Sequence, residues 1–257
     1  MVDGQTGTIC LLLTHNLGQD VERKILDGES EGTRTVWVAN STDDGVNWTA
    51  PVEITDTTKK PDWTWYATGP GSGIQLANGR LLIPCDHVEA GTKKNYSHVV
   101  FSDDGGKTWQ LGGSSPIDQV NECEVVELED GRILLNMRSY DPARKSRFVA
   151  FSTDGGQSWS NMVCHETLID PICQASIHRL ATVANDGRSR ILFSNPASRH
   201  ARERMTVRLS YDEAATWPVS RVLHAGPAAY SSLAVLPDRT VCCFFERGAV
   251  FAYEQMT

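Results

Sequence analysis

No stretch of this 257-residue sequence approaches the roughly 18 consecutive apolar residues that a membrane-spanning helix requires. Its opening, Met1-Val2-Asp3-Gly4-Gln5-Thr6-Gly7, lacks the basic-then-apolar order of a signal peptide. A cytoplasmic protein, or an N-terminally shortened secreted one, is the expectation. Positive charge is in deficit: 24 Lys and Arg against 32 Asp and Glu give a net charge of −8. That balance argues against nucleic acid or an anionic membrane as partner. An anionic ligand must therefore be held by a local group of arginines. The seven cysteines, an odd number, contain no CxxC pair. Buried free thiols are expected rather than a disulfide framework or a zinc site. His87 and His98 lie scattered among polar residues and suggest no metal centre. No convincing amphipathic helix appears either.

What the sequence does contain is a repeat. Ser41 to Trp48 (STDDGVNW), Ser102 to Trp109 (SDDGGKTW), Ser152 to Trp159 (STDGGQSW) and Ser210 to Trp217 (SYDEAATW) share one pattern, S-x-D-x-G-x-[NTS]-W. Only the fourth departs, with Ala214 in place of glycine. The tryptophans fall 61, 50 and 58 residues apart, a spacing that suits one four-stranded propeller blade per repeat. Aspartate and glycine build a tight turn, the carboxylate accepting nearby backbone N–H groups and the glycine supplying positive φ. The tryptophan is expected to pack back on its sheet. Asp43, Asp104, Asp154 and Asp212 are therefore structural.

The segments between the boxes repeat as well. Glu122 to Leu128 alternates, turns through Glu129-Asp130-Gly131-Arg132, and resumes at Ile133 to Arg138, with Arg147 to Ser152 leading into the next box. Gly73 to Ile83 and Ser176 to Phe193 follow the same order, turning at Ala77-Asn78-Gly79 and Asn185-Asp186-Gly187. Near the start, Thr8 to Leu13 reads as a second strand without its first. Near the end, Tyr230 to Leu236 and Thr240 to Phe245 form a hairpin, with Gly248 to Tyr253 as a further strand. The expectation is an all-β chain of roughly four and a half blades in a single domain spanning residues 1–257. Open sheet edges in such a chain invite pairing, so an oligomer is a further expectation.

Trp63 to Gly71 (WTWYATGPG), Asn121 to Val125 (NECEV), Leu135 to Ser139 (LNMRS) and Gly226 to Leu233 (GPAAYSSL) make the resemblance more specific than the boxes alone. From Gly7 to about Tyr253 the sequence resembles the bacterial and animal exo-α-sialidases (neuraminidases), six-bladed β-propellers that remove terminal sialic acid. The resemblance implies sialylated glycans as substrates and no metal or other cofactor. It places Tyr230 on the nucleophile and Glu122 on the base that draws off the phenol proton. Sialic acid carries a carboxylate at its anomeric carbon, so a carboxylate nucleophile would meet like charge; a tyrosine avoids this. A phenol of pKa about 10 needs such a base near neutral pH. In the family three arginines grip the substrate carboxylate through bidentate hydrogen bonds. Arg138 matches the second of these and Arg202 the third, with Arg199 and Arg204 close by in sequence.

The family's first arginine, in an Arg-Ile-Pro stretch, and the aspartate acid that follows it match no residue here, so the blade that carries them is expected to be missing. Asp62, Trp65, Tyr66, Asp86 and His87 are pocket candidates that serve equally well as braces between blades. Glu122, among Glu124, Glu127 and Glu129, also fits a solvated acidic face. Three functions follow: a retaining exo-sialidase, a non-catalytic sialoside-binding propeller or inactive fragment, and a scaffold. The Tyr230 and Glu122 pair speaks against the last.

Overall fold

A computed structural model describes residues 1–257. It divides into two compact units: Met1–Glu122 with Ser152–Ser160, and Cys123–Phe151 with Asn161–Thr257.

The first unit holds a three-stranded sheet (Ile9–His15, Thr35–Ser41, Val52–Glu53) and a five-stranded one (Trp63–Thr68, Ile74–Gln75, Leu81–Glu89, Asn95–Ser102, Gln110–Ser114), with antiparallel pairing throughout. Cys10, Val36, Val38, Trp63, Tyr66, Leu81, Cys85 and Trp109 form one core cluster. The second unit contains the sheet of Val120–Glu127, Ile133–Ser139, Ser146–Ser152 and Val163–Ile169, whose first and third strands straddle the boundary between the units. It continues with Ser176–Ala181, Arg190–Pro196, Glu203–Ser210 and the 17-residue strand Val219–Val235. That long strand serves two partners. Residues up to Pro227 pair with Glu203–Ser210, and those from Ala228 pair with Val241–Arg247. One continuous strand thus ends one blade and begins the next.

The boxes repeat their geometry as faithfully as their letters. In each, the serine hydroxyl donates to the aspartate at 2.7–2.9 Å and accepts the N–H four residues on at 2.9–3.0 Å. The aspartate in turn accepts the N–H of Asn47, Thr108, Ser158 or Thr216 at 2.8–2.9 Å, and its second oxygen takes that residue's side chain. The turn position has φ of 83°, 86° and 88° at Gly45, Gly106 and Gly156; Ala214 accepts 64°. Each of the last three boxes packs on the preceding sheet. A Cβ on Gly106 would lie 2.7 Å from the Cys10 sulfur. Trp159 Nε1 donates to Gly113 O at 3.0 Å, and Trp217 Nε1 to His165 Nε2 at 3.2 Å. Trp109 and Trp217 are buried, whereas Trp48 keeps 42% of its surface exposed and only caps its own turn through Gly45 O.

Three details depart from the sequence reading. Short helices occur at Glu22–Asp27, Thr55–Thr58 and Val183–Asp186. None is long enough to display a helical period, and the third replaces the plain turn expected at Asn185 to Gly187. Gly248 to Tyr253 is not a strand. The Glu254 carboxylate gathers the N–H groups of Ala249, Val250 and Phe251 at 2.9–3.0 Å, curling the chain, and pairing resumes only at Gln255–Met256. All seven cysteines are free, with Cys10, Cys85, Cys123 and Cys173 buried but Cys242 exposed. No helix is long and apolar enough to cross a membrane.

Candidate active site

Tyr230 lies where the pairing of the long strand with Val241–Arg247 slips, between Ala228 and Ser231. Such an irregularity re-aims a side chain and interrupts the ladder, so the local backbone needs other partners. It finds them in side chains. Tyr230 N–H donates to the Glu246 carboxylate at 3.0 Å. The Gln174 amide accepts Ser231 N–H at 2.9 Å and donates to Ser231 O at 2.8 Å. Leu233 N–H donates to Ser176 Oγ at 3.1 Å. The half-buried ring packs against Cys173, Ala229 and Ala252.

Two arginines converge on this tyrosine. Arg138, at the end of Ile133–Ser139, donates from Nη1 to the phenol oxygen at 3.2 Å. The Arg202 guanidinium stands 5.8 Å from the ring centroid, held by Ile172 O at 3.1 Å and by the Tyr253 hydroxyl. Burial acts to lower its pKa, yet Cys173 and Tyr253 beside it hold the guanidinium above its usual value. Of the three neighbouring candidates, Arg202 is the one at Tyr230; Arg199 is spent on the carbonyls of Arg144 and Lys145.

Behind the arginines is a buried charge pair that sequence reasoning missed. Arg147, with no exposed surface, donates to Asp170 at 2.8 Å, to Cys173 O at 2.6 Å and to Asn136 Oδ1 at 2.8 Å. Asp170 also accepts Cys173 N–H at 2.7 Å. Burial pushes the Asp170 carboxyl above its usual range although Arg147, these hydrogen bonds and the charge of Arg138 all pull it down. The segment Asp170 to Gln174 is therefore a hub: Asp170 and Cys173 O fix Arg147, Ile172 O holds Arg202, and Gln174 holds Ser231. Nothing in its letters announces this, because every partner is distant in sequence.

The other predicted residues lie in the first unit. Glu122 is half-buried on Val120–Glu127. Asp62 is exposed on a turn and Trp65 half-buried, stacked under the Arg34 guanidinium at 3.9 Å. Tyr66 has no exposed surface and Asp86 only 2%. Burial raises the Tyr66 phenol well above its usual value. His87 is buried, stacked on Trp63 with centroids 3.4 Å apart, and its Nδ1 meets His98 Nδ1 at 3.0 Å. Tyr66, Asp86 and His87 thus occupy interior positions.

A family model described as a BNR repeat-like domain matches residues 2–243. The sequence is 38% identical over 264 residues to a sialidase of Micromonospora viridifaciens, across 98% of this chain and 40% of that protein. The chain belongs to the sialidase family of BNR-repeat proteins. Human sialidase-3 is 28% identical to this sialidase-family chain, over 98% of it and 71% of the human protein. Among solved structures, the Hadza microbial sialidase Hz136 superposes with a TM-score of 0.85 at 30% identity, covering 95% of this chain and 48% of that one. The fold is accordingly the all-β, sialidase-type propeller, present as an incomplete set of blades. This family member spans about 40% of the length of the bacterial sialidases from Micromonospora viridifaciens and Bacteroides fragilis that it matches.

Proposed function

We propose that this chain carries the nucleophile half of a retaining exo-α-sialidase that releases terminal sialic acid from sialoglycoconjugates. The observation that carries the reading is the meeting of Arg138 and Arg202 at Tyr230. Two guanidinium groups beside a phenol suit a substrate whose reacting carbon bears a carboxylate, because the charge that would repel a carboxylate nucleophile is neutralised where the tyrosine attacks. A guanidinium donating to the phenol oxygen also stabilises negative charge as it develops there.

In the proposed reaction the Tyr230 oxygen attacks the anomeric carbon as Glu122, assigned on the Asn121-Glu122-Cys123 motif, accepts the phenol proton. The bond from that carbon to the leaving oxygen breaks, and the aglycone departs with the electron pair. Water then attacks the same carbon and releases one proton to solvent. The bond from that carbon to the tyrosine oxygen breaks, Glu122 returns the phenol proton to that oxygen, and the second displacement restores the original configuration. The resemblance assigns none of these residues to the acid that protonates a sugar leaving group. An aryl sialoside needs little such help and is the substrate of choice for the test. Turnover should be lost in Tyr230→Phe, and a fluorinated sialosyl donor should label Tyr230 covalently. Label on another residue, or turnover untouched by Tyr230→Phe, would sink the reading.

A further inference from the structure

We infer that Gln174 is a positioning residue for Tyr230, acting through the backbone of Ser231; the inference rests on the nucleophile role proposed above. The strand from Ala228 to Val235 pairs on one side with Val241–Arg247. On the other side no strand supplies the bonds for Ser231 and Leu233. Gln174 and Ser176 take that place with side chains, two residues apart as a strand's own groups would be. Gln174 is 3% exposed and satisfies both polar groups of Ser231, at 2.9 and 2.8 Å. A second tie, Ser194 Oγ to Ser231 Oγ at 2.8 Å, locks the same residue. The residue before it, Tyr230, sits in the slipped register, where the ladder does not fix it.

The chemistry explains why an amide is suited to the task. A primary carboxamide offers one acceptor and two donors, and spans an N–H and a C=O of one residue in the way a neighbouring strand does. A methionine of similar length fills the space and offers neither bond. A glutamate reproduces the pattern only when protonated, with an O–H donor and a C=O acceptor; ionised, it turns an oxygen toward Ser231 O. Gln174 sits on the same hub segment whose Ile172 carbonyl holds Arg202, so one short stretch sets both the nucleophile and a cation beside it.

The test compares wild type, Gln174→Met and Gln174→Glu on an aryl sialoside, alongside the ring signal of ¹³C-labelled Tyr230. Misplacement of a nucleophile by a fraction of an ångström lowers kcat on the order of 10- to 100-fold and leaves KM nearly constant. Gln174→Met is expected to show that split and a broadened Tyr230 signal. Gln174→Glu should recover toward wild type as pH falls and its carboxyl protonates, a rescue that a filler residue would not give. An unchanged kcat with an unchanged ring signal in Gln174→Met overturns the inference, as does a loss confined to KM. An inactive wild type would instead overturn the sialidase reading. The ring signal would then decide the positioning claim alone: broadening supports it and an unaltered line refutes it.

Discussion

Arg138 Nη1 donates to the Tyr230 hydroxyl at 3.2 Å, across 92 residues of sequence. The same guanidinium lies 5.0 Å from the Tyr140 ring and close enough to Asp170 to influence its carboxyl. The arginine is therefore tied to the phenol and lies by an aromatic face before any ligand arrives, with its charge felt at the buried Asp170 carboxyl.

Because a lysine keeps the charge but not the planar fork, Arg138→Lys should weaken kcat/KM for a sialoside by about 1.5–3 kcal/mol, the worth of a charge-assisted hydrogen bond. That is roughly 10- to 150-fold by the usual conversion. Steady-state kinetics will show it; a change below about threefold would remove Arg138 from the substrate carboxylate.

Loss of Asp170 leaves Arg147 charged and buried without its carboxylate. Removal of one partner of such a pair costs about 3–5 kcal/mol. Urea unfolding of Asp170→Ala should report a loss of that size. The double replacement Arg147→Met with Asp170→Ala should recover part of it, since no buried charge then remains.

Glycine is required in the second box for two separate reasons. Gly106 has φ +86°, and any Cβ there would meet Cys10 Sγ at 2.7 Å. Gly106→Ala should destabilise by about 2–4 kcal/mol, from left-handed strain and forced repacking together. In the fourth box Ala214 already sits at φ +64° with its methyl in the core beside Trp217. Ala214→Gly exchanges relieved strain for a lost methyl contact and should stay within about 1 kcal/mol. Thermal melts of the two variants distinguish the sites.

Acid should weaken the fold in two steps. Burial, with a smaller contribution from Lys60, pushes His87 down to about 3, so the folded chain prefers the neutral ring. The unfolded chain takes up a proton near pH 6.5. The unfolded state therefore binds more protons between those values, and stability, complete above pH 6.5, declines as pH falls toward 3. Burial also acts to raise Asp104 and Asp154, but their box hydrogen bonds prevail and hold both at about 2. Their contribution is present above the unfolded value near 4 and is lost as pH falls toward 2. Urea midpoints of His87→Phe should be flatter with pH between 6.5 and 4, whereas Asp104→Asn should alter only the lower window.

The boxes were legible because the bonds of their serine and aspartate close within eight residues. Ser210, Asp212 and Thr216 make the same contacts as Ser41, Asp43 and Asn47, and letters at fixed spacing are enough to specify them. Strand alternation likewise located Ile133–Ser139 and Ser176–Ala181 to within a residue or two. The resemblance named Tyr230 and Arg138, and the fold brought those two together. It could not reveal Gln174, Asp170 or Arg147, whose meaning lies in partners 57, 23 and 26 residues away. Nor could it foresee the curl at Gly248 to Tyr253, which depends on one carboxylate collecting three N–H groups.

By itself, then, the chain's sequence determined what short-range chemistry can determine: the turns, the alternating strands and their recurrence as blades. Which buried charge faces which arginine, and which amide replaces an absent strand beside the nucleophile candidate, were decided by the tertiary structure. Burial must match each polar group to a partner, and the partner is chosen by how the sheets pack, not by distance along the chain.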